Sequence, residues 1–121
     1  MKTAKRNTGD IGESIACKYL TDKGDRVLER NYWKPWGEID IITERQNKLI
    51  FVEVKTVSHG TIRPEENMHP GKIKRLHRAV QTYLLDHKVP EDKEWQIDLA
   101  CVSLNQETKE ARVELFENIV L

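Results

Sequence analysis

Residues 37–55 read GEIDIITERQNKLIFVEVK, two apolar runs separated by a polar stretch, with Asp40, Glu53 and Lys55 set inside the most hydrophobic parts. Glu38 to Thr43 and Leu49 to Thr56 have strand length, and ERQNK between them has the composition of a hairpin loop. A strand with one wet face alternates apolar and polar residues, whereas LIFVEVK is nearly continuous, as expected of a strand covered on both faces. Alternation puts Phe51, Glu53 and Lys55 on one face, and likewise Glu38, Asp40 and Ile42 in the preceding strand. Pairing the two strands then brings Asp40 to the face of Glu53 and Lys55. Isolated buried ions are costly, so these charges must either compensate one another or hold a cation. Mg²⁺ prefers oxygen ligands and typically takes one or two protein carboxylates, the number that Asp40 and Glu53 supply. In the simpler alternative the strands are less buried and Lys55 bridges the two acids.

Outward from this hairpin, helices and strands alternate in a compact order. Upstream, Gly12, Ile15, Ala16, Tyr19 and Leu20 form one face of an amphipathic helix, with Thr8 or Asp10 as its N-cap and Gly24 as its stop. DRVLERNYW then reads as a strand, and KPWG as a turn before Glu38. Downstream, TVSHGTIRPEENMHPG reads as a loop, and Pro70 and Gly71 open a second helix. Its apolar stripe is Ile73, Leu76, Val80, Tyr83 and Leu84; Lys74, Arg75 and Arg78 point away from it, and Lys72 lies on its flank. WQIDLACVSL and ARVELFE complete the set as strands. The order helix, three strands, helix, two strands predicts an α/β or α+β domain with a mixed sheet, spanning residues 1–121 as one unit.

Composition narrows the class. Twenty basic and twenty acidic residues cancel, which argues against a strongly basic nucleic-acid coat protein. The cancellation is not local: residues 69–88 carry Lys72, Lys74, Arg75, Arg78 and Lys88 against Asp86 alone, while the segment from Glu91 onward is acidic. A neutral molecule with one polyanion-binding face fits this, as does a merely solvated helix face. Cys17 and Cys101 sit singly among apolar neighbours and read as reduced core thiols. No apolar run has the length of a signal peptide or membrane span, so the expectation is a cytoplasmic protein with no membrane partner. His59, His69, His77 and His87 lack zinc-site spacing, with only His69 a candidate for touching phosphate. Trp33 and Trp36 are expected to pack over the sheet rather than stack on unpaired bases.

GEIDII followed by FVEVKT, preceded by GDIGESIACKYLTDKG and followed by a basic helix from Lys72, resembles the YraN family of small bacterial proteins. That family is related to archaeal-type Holliday junction resolvases within the PD-(D/E)XK nuclease superfamily. The resemblance runs from Gly9 to about Val102. It implies a restriction-endonuclease-like mixed central sheet flanked by helices, with Asp40 as metal-binding aspartate, Glu53 as second acid, Lys55 as catalytic lysine and Glu13 as the first-helix glutamate. It also implies that Lys72 approaches the site. Val57 and Gln96 stand where the family pattern often has arginines, which would leave Asp98 short of a partner.

The chemistry so implied is Mg²⁺-dependent hydrolysis of DNA phosphodiesters, with Mn²⁺ as substitute, on branched or Holliday-junction-like substrates. Asp40, Glu53 and the Val54 carbonyl would hold the ion, and Lys72, Lys74, Arg75 and Arg78 would contact phosphates. So few contacts make a homodimer attractive. Competing readings are a noncatalytic nucleic-acid-binding or scaffold protein that keeps a nuclease-like fold, and an RNA or single-strand nuclease.

Overall fold

The chain is described here by a computed structural model covering residues 7–58 and 69–119, with side chains from residue 9 in the first segment. The elements are α1 (Asn7–Asp22), β1 (Arg26–Lys34), β2 (Gly37–Arg45), β3 (Lys48–Val57), α2 (Pro70–Asp86), β4 (Trp95–Asn105) and β5 (Glu110–Phe116). The five strands form one sheet in the order β1-β2-β3-β4-β5. The β3–β4 pair is parallel and the other three are antiparallel, so the sheet is mixed and the fold is α+β. A parallel neighbour requires a crossover connection, and α2 lies in it.

Alternation along β3 assigns each helix to a face. Ile50 and Val52 belong to a core with Ala16 and Leu20 of α1, whereas Leu49 and Phe51 belong to one with Leu76, Ala79, Val80 and Tyr83 of α2. The central strands are therefore covered on both sides, which explains the unbroken apolar runs. Tyr83 packs edge-on against both Phe51 and Tyr32. Cys101 is buried and Cys17 half-buried, both free thiols. No described helix is long and apolar enough to cross a membrane.

Two glycines set how closely the helices approach. A Cβ on Gly12 would lie 1.7 Å from Thr56 Oγ1, and one on Gly37 would lie 2.3 Å from the Arg75 carbonyl oxygen. Only glycine lets α1 meet β3 beside Lys55 and lets α2 meet the start of β2. α1 stops as the sequence indicates: the Asp25 amide donates to the Leu20 carbonyl across Gly24, whose φ is 106°. Its start differs, since the helix already runs from Asn7 and Asp10 lies within the first turn rather than capping it. Thr8 and His59 fall outside the described side chains. The β2–β3 loop is shorter than ERQNK, because Arg45 pairs with Lys48 and only Gln46 and Asn47 turn, at φ 52° and 63°. Positive φ at both central residues is the hairpin turn whose twist matches that of the strands.

Candidate metal centre and nucleic-acid face

β2 does not keep regular alternation. Ile39 packs in the α2-side core and Ile41 in the α1-side core, although residues two apart on a regular strand share a face. The switch falls at Asp40. In β1 it is matched at Asn31, whose φ of 54° lies between the pairs Arg30–Ile41 and Tyr32–Ile39. Beyond this point β2 leaves β3: their pairing ends at Ile41–Val52, and the Val54 amide donates to Asp40 Oδ2 at 2.7 Å instead of to a backbone carbonyl. The expectation that Glu38, Asp40 and Ile42 simply share a face is thus replaced by a break in the pleat that leaves Asp40 in the gap between strands. In a strand the N–H and C=O of one residue face the same neighbour. The Val54 carbonyl therefore turns toward the gap that Asp40 occupies.

That gap opens into a cavity of about 450 Å³ lined by Asp40, Glu53, Val54, Lys55, Glu38, Gly37, His69, Lys72 and Arg75. Asp40 and Glu53 are both buried, and their carboxyl groups meet closely enough to hydrogen-bond. Burial, followed by the hydrogen bond and charge of Glu53, pushes the Asp40 carboxyl up to about 8, although the Val54 amide and a contact with Glu38 oppose the rise. From α2, Lys72 Nζ reaches Glu53 Oε2 at 3.1 Å.

The structure brings together Asp40, Glu53, Val54, Lys55, Lys72 and Arg75. Lys74 and Arg78 lie on the exposed side of α2, and the Arg78 guanidinium covers the Trp36 ring at 4.8 Å. Glu13 is buried on α1 but is not among the cavity's lining residues; Arg30 lies 3.9 Å from it. Glu38 is a lining residue that sequence reasoning left without a role, although its spacing from Asp40 was a signal.

Two expectations are corrected. Trp33 does not pack over the sheet: it is 59% exposed on the edge strand β1. Trp36 does pack, donating from Nε1 to Thr82 Oγ1 at 3.0 Å. Asp98 has not lost its partner with the arginine, because Gln96 Nε2 and the Asn118 amide both donate to its Oδ1 at 2.8 Å. It is fully buried and holds Asn118 against β4, while its Oδ2 has no hydrogen-bond partner among the described residues and burial raises its carboxyl above the ordinary range.

The donor set tests the implied metal. Two buried carboxylates in contact, short of compensating positive charge, together with a carbonyl turned to the same gap, suit a hard divalent cation and offer no soft ligand. Among the described residues no three His, Cys, Asp or Glu side chains form a metal cluster, so any ion held here would keep several waters.

Comparison with known proteins agrees with the sequence. The family model described as "Uncharacterised protein family UPF0102" matches residues 12–102. A "UPF0102 protein" of Helicobacter hepaticus is 37% identical over 116 residues, 96% of each chain. Another from Moorella thermoacetica is 36% identical over 118 residues, 97% of this chain and 98% of its own. A third, from Thermotoga petrophila, is 39% identical over 77 residues, 64% of this chain and 70% of its own.

Proposed function

The chain belongs to the YraN family, UPF0102, and we propose that it is a Mg²⁺-dependent endonuclease that hydrolyses phosphodiester bonds in branched or otherwise structured DNA. The observation that carries this reading is the contact of two buried acids, Asp40 and Glu53, in a cavity walled by Lys55, Lys72 and Arg75. Two buried carboxyl groups this close do not both ionise near neutral pH, so in the protein alone one keeps its proton, and a bound cation would favour its release. Asp40, Glu53 and the Val54 carbonyl would hold the ion. When bound, it supplies Lewis acidity toward the phosphodiester and a more nucleophilic water.

The chain's own residues then divide the remaining work. Lys55, on the same β3 face as Glu53, places its ammonium beside the phosphate and stabilises the extra negative charge that develops during attack. This role requires no loss of its proton. Lys72 compensates Glu53 in the protein alone and is positioned to turn to a phosphate oxygen once an ion takes that charge. Arg75 lies at the cavity mouth, and with Lys74 and Arg78 it supplies sequence-independent affinity that weakens with salt. A second copy of the chain would double these contacts.

The test is incubation of pure protein with branched, flapped, duplex and single-stranded DNA, and with RNA, in Mg²⁺ or Mn²⁺, beside Asp40→Ala and Lys55→Ala. Metal-dependent cutting by the wild type, lost in both variants, is expected. Equal cutting by all three would sink the site. Salt-sensitive binding without cutting would assign the chain to the noncatalytic reading, and cutting of RNA alone would replace DNA as substrate.

A further inference from the structure

The two walls of the Asp40–Glu53 cavity carry different chemistry. The α2 wall is cationic, with Lys72 and Arg75, and suits phosphates. On the β1 side the cavity is bounded by Glu38, an acid that touches Asp40 and disfavours a phosphate there. Directly across the strand pair from Glu38 stands Trp33. Opposed residues of an antiparallel pair project on the same face with their Cβ atoms only about 5 Å apart. The exposed indole therefore stands beside Glu38, next to the cavity's lining though not part of it, and on the sheet face opposite to Tyr32 and Lys34, which reach α2. Trp36, by contrast, is engaged by Thr82 and Arg78. A flat, uncharged π surface at the sheet edge, next to the acid that bounds the cavity and away from its cationic wall, is complementary to a nucleobase and not to the backbone that carries it.

We infer that Trp33 is a stacking platform for an unpaired base next to the phosphodiester in the cavity, so that the substrate class is DNA with an unpaired nucleotide at the cut site. Bases within a continuous duplex are stacked on their neighbours and out of reach of the indole. A flap, branch point or single-strand junction frees one. Base–aromatic stacking is tolerant of sequence, so the preference is for structure and not for a particular base.

This inference rests on the nuclease reading above, and the test separates the two. Binding is followed by fluorescence anisotropy in EDTA, so that nothing is cut. The probes are a labelled duplex, the same duplex with a short flap, and a flap whose junction-proximal nucleotide is abasic. Wild type is expected to favour the flap over the duplex by roughly tenfold, and the abasic flap to lose that margin. Trp33→Ala should abolish the preference while leaving duplex affinity unchanged, and Trp33→Phe should keep most of it. Duplex affinity unchanged by Trp33→Ala also shows that the variant is folded. A flap preference that survives Trp33→Ala, or a wild type that binds flap and duplex equally, overturns the inference alone. A wild type that binds none of the probes, or a Lys74→Ala/Arg75→Ala/Arg78→Ala variant with undiminished duplex affinity, overturns the DNA reading beneath it. If light scattering shows Trp33→Ala splitting a dimer with flap preference intact, the indole is covered by a second copy, which also contradicts the assignment.

Discussion

The two ends of the β2–β3 hairpin treat charge in opposite ways. At the turn end Asp25 and Glu44 each meet a base: Arg45 spans Asp25 at 2.9 Å and Glu117 at 2.8 Å, and Lys93 reaches Glu44 at 2.6 Å. Thr43 adds a hydrogen bond to Asp25 at 2.8 Å. Hydrogen bonds from Lys93 and then Arg26 hold Glu44 below the usual carboxylate range. At the far end Asp40 and Glu53 meet each other, and the Asp40 carboxyl rises to about 8. Compensated acids at one end tie strands together. Asp40 and Glu53 at the other lie where strand pairing has stopped, beside a cavity, with Lys72 bridged to Glu53. The same hairpin thus carries acids tied to bases at one end and a pair of acids in contact with each other at the other.

The largest expected effect lies at the far end. Removing a proposed ion ligand or the lysine beside it, by Asp40→Ala, Glu53→Gln or Lys55→Ala, should lower cleavage more than about 100-fold, beyond what loss of an outer-shell partner costs. Cleavage rates on a flapped substrate measure this, and circular dichroism should show the fold intact. At the turn end the effect is on stability. Arg45→Ala strands the fully buried Asp25 charge and should cost about 3 kcal/mol, lowering Tm by roughly 10 °C in a thermal melt.

Gly37→Ala tests how α2 is held against β2. The added Cβ collides with the Arg75 carbonyl, so the helix must shift, at about 1–3 kcal/mol, and catalysis should fall with stability because Lys72 and Arg75 move with it. The smallest effect concerns pH. The folded Asp40 carboxyl titrates at about 8 against an ordinary 3.8, so the folded chain holds this proton more tightly than the unfolded one. The stability it contributes is fully present below 3.8 and lost as pH rises through about 8. Metal-free protein should therefore melt at a lower temperature at pH 8 than at pH 5. Asp40→Asn should flatten that fall, raising Tm at pH 8 by about 4 °C, equivalent to about 1 kcal/mol. Arg45 variants should keep the slope.

Much of this architecture was legible in sequence because its signals are local. Continuous apolar runs in β2, β3 and β4 announce strands covered on both sides, and the stripe through Leu76, Val80 and Tyr83 announces a helix laid over them. That Asp40, Glu53 and Lys55 come near one another is legible from the hairpin, although the contact itself forms where the pairing has ended. What escaped the sequence depends on irregular backbone or distant partners. The face switch at Asp40 requires Asn31 in the left-handed region, which alternation cannot anticipate. The exposure of Trp33 follows from β1 being the edge strand, and the hydrogen bonds to Asp98 Oδ1 come from Gln96 and the Asn118 amide. Gly12 and Gly37 look like ordinary helix and turn residues until the contacts they permit are seen.

If the far end of the hairpin is the proposed divalent-cation site, Mn²⁺ titration followed by electron paramagnetic resonance will detect it. Wild type should bind an ion that Mg²⁺ displaces, and Asp40→Asn should lose that binding while Arg45→Ala, assayed below its melting temperature, retains it. A wild type that binds no Mn²⁺, or an Asp40→Asn variant that binds it equally well, would contradict the account.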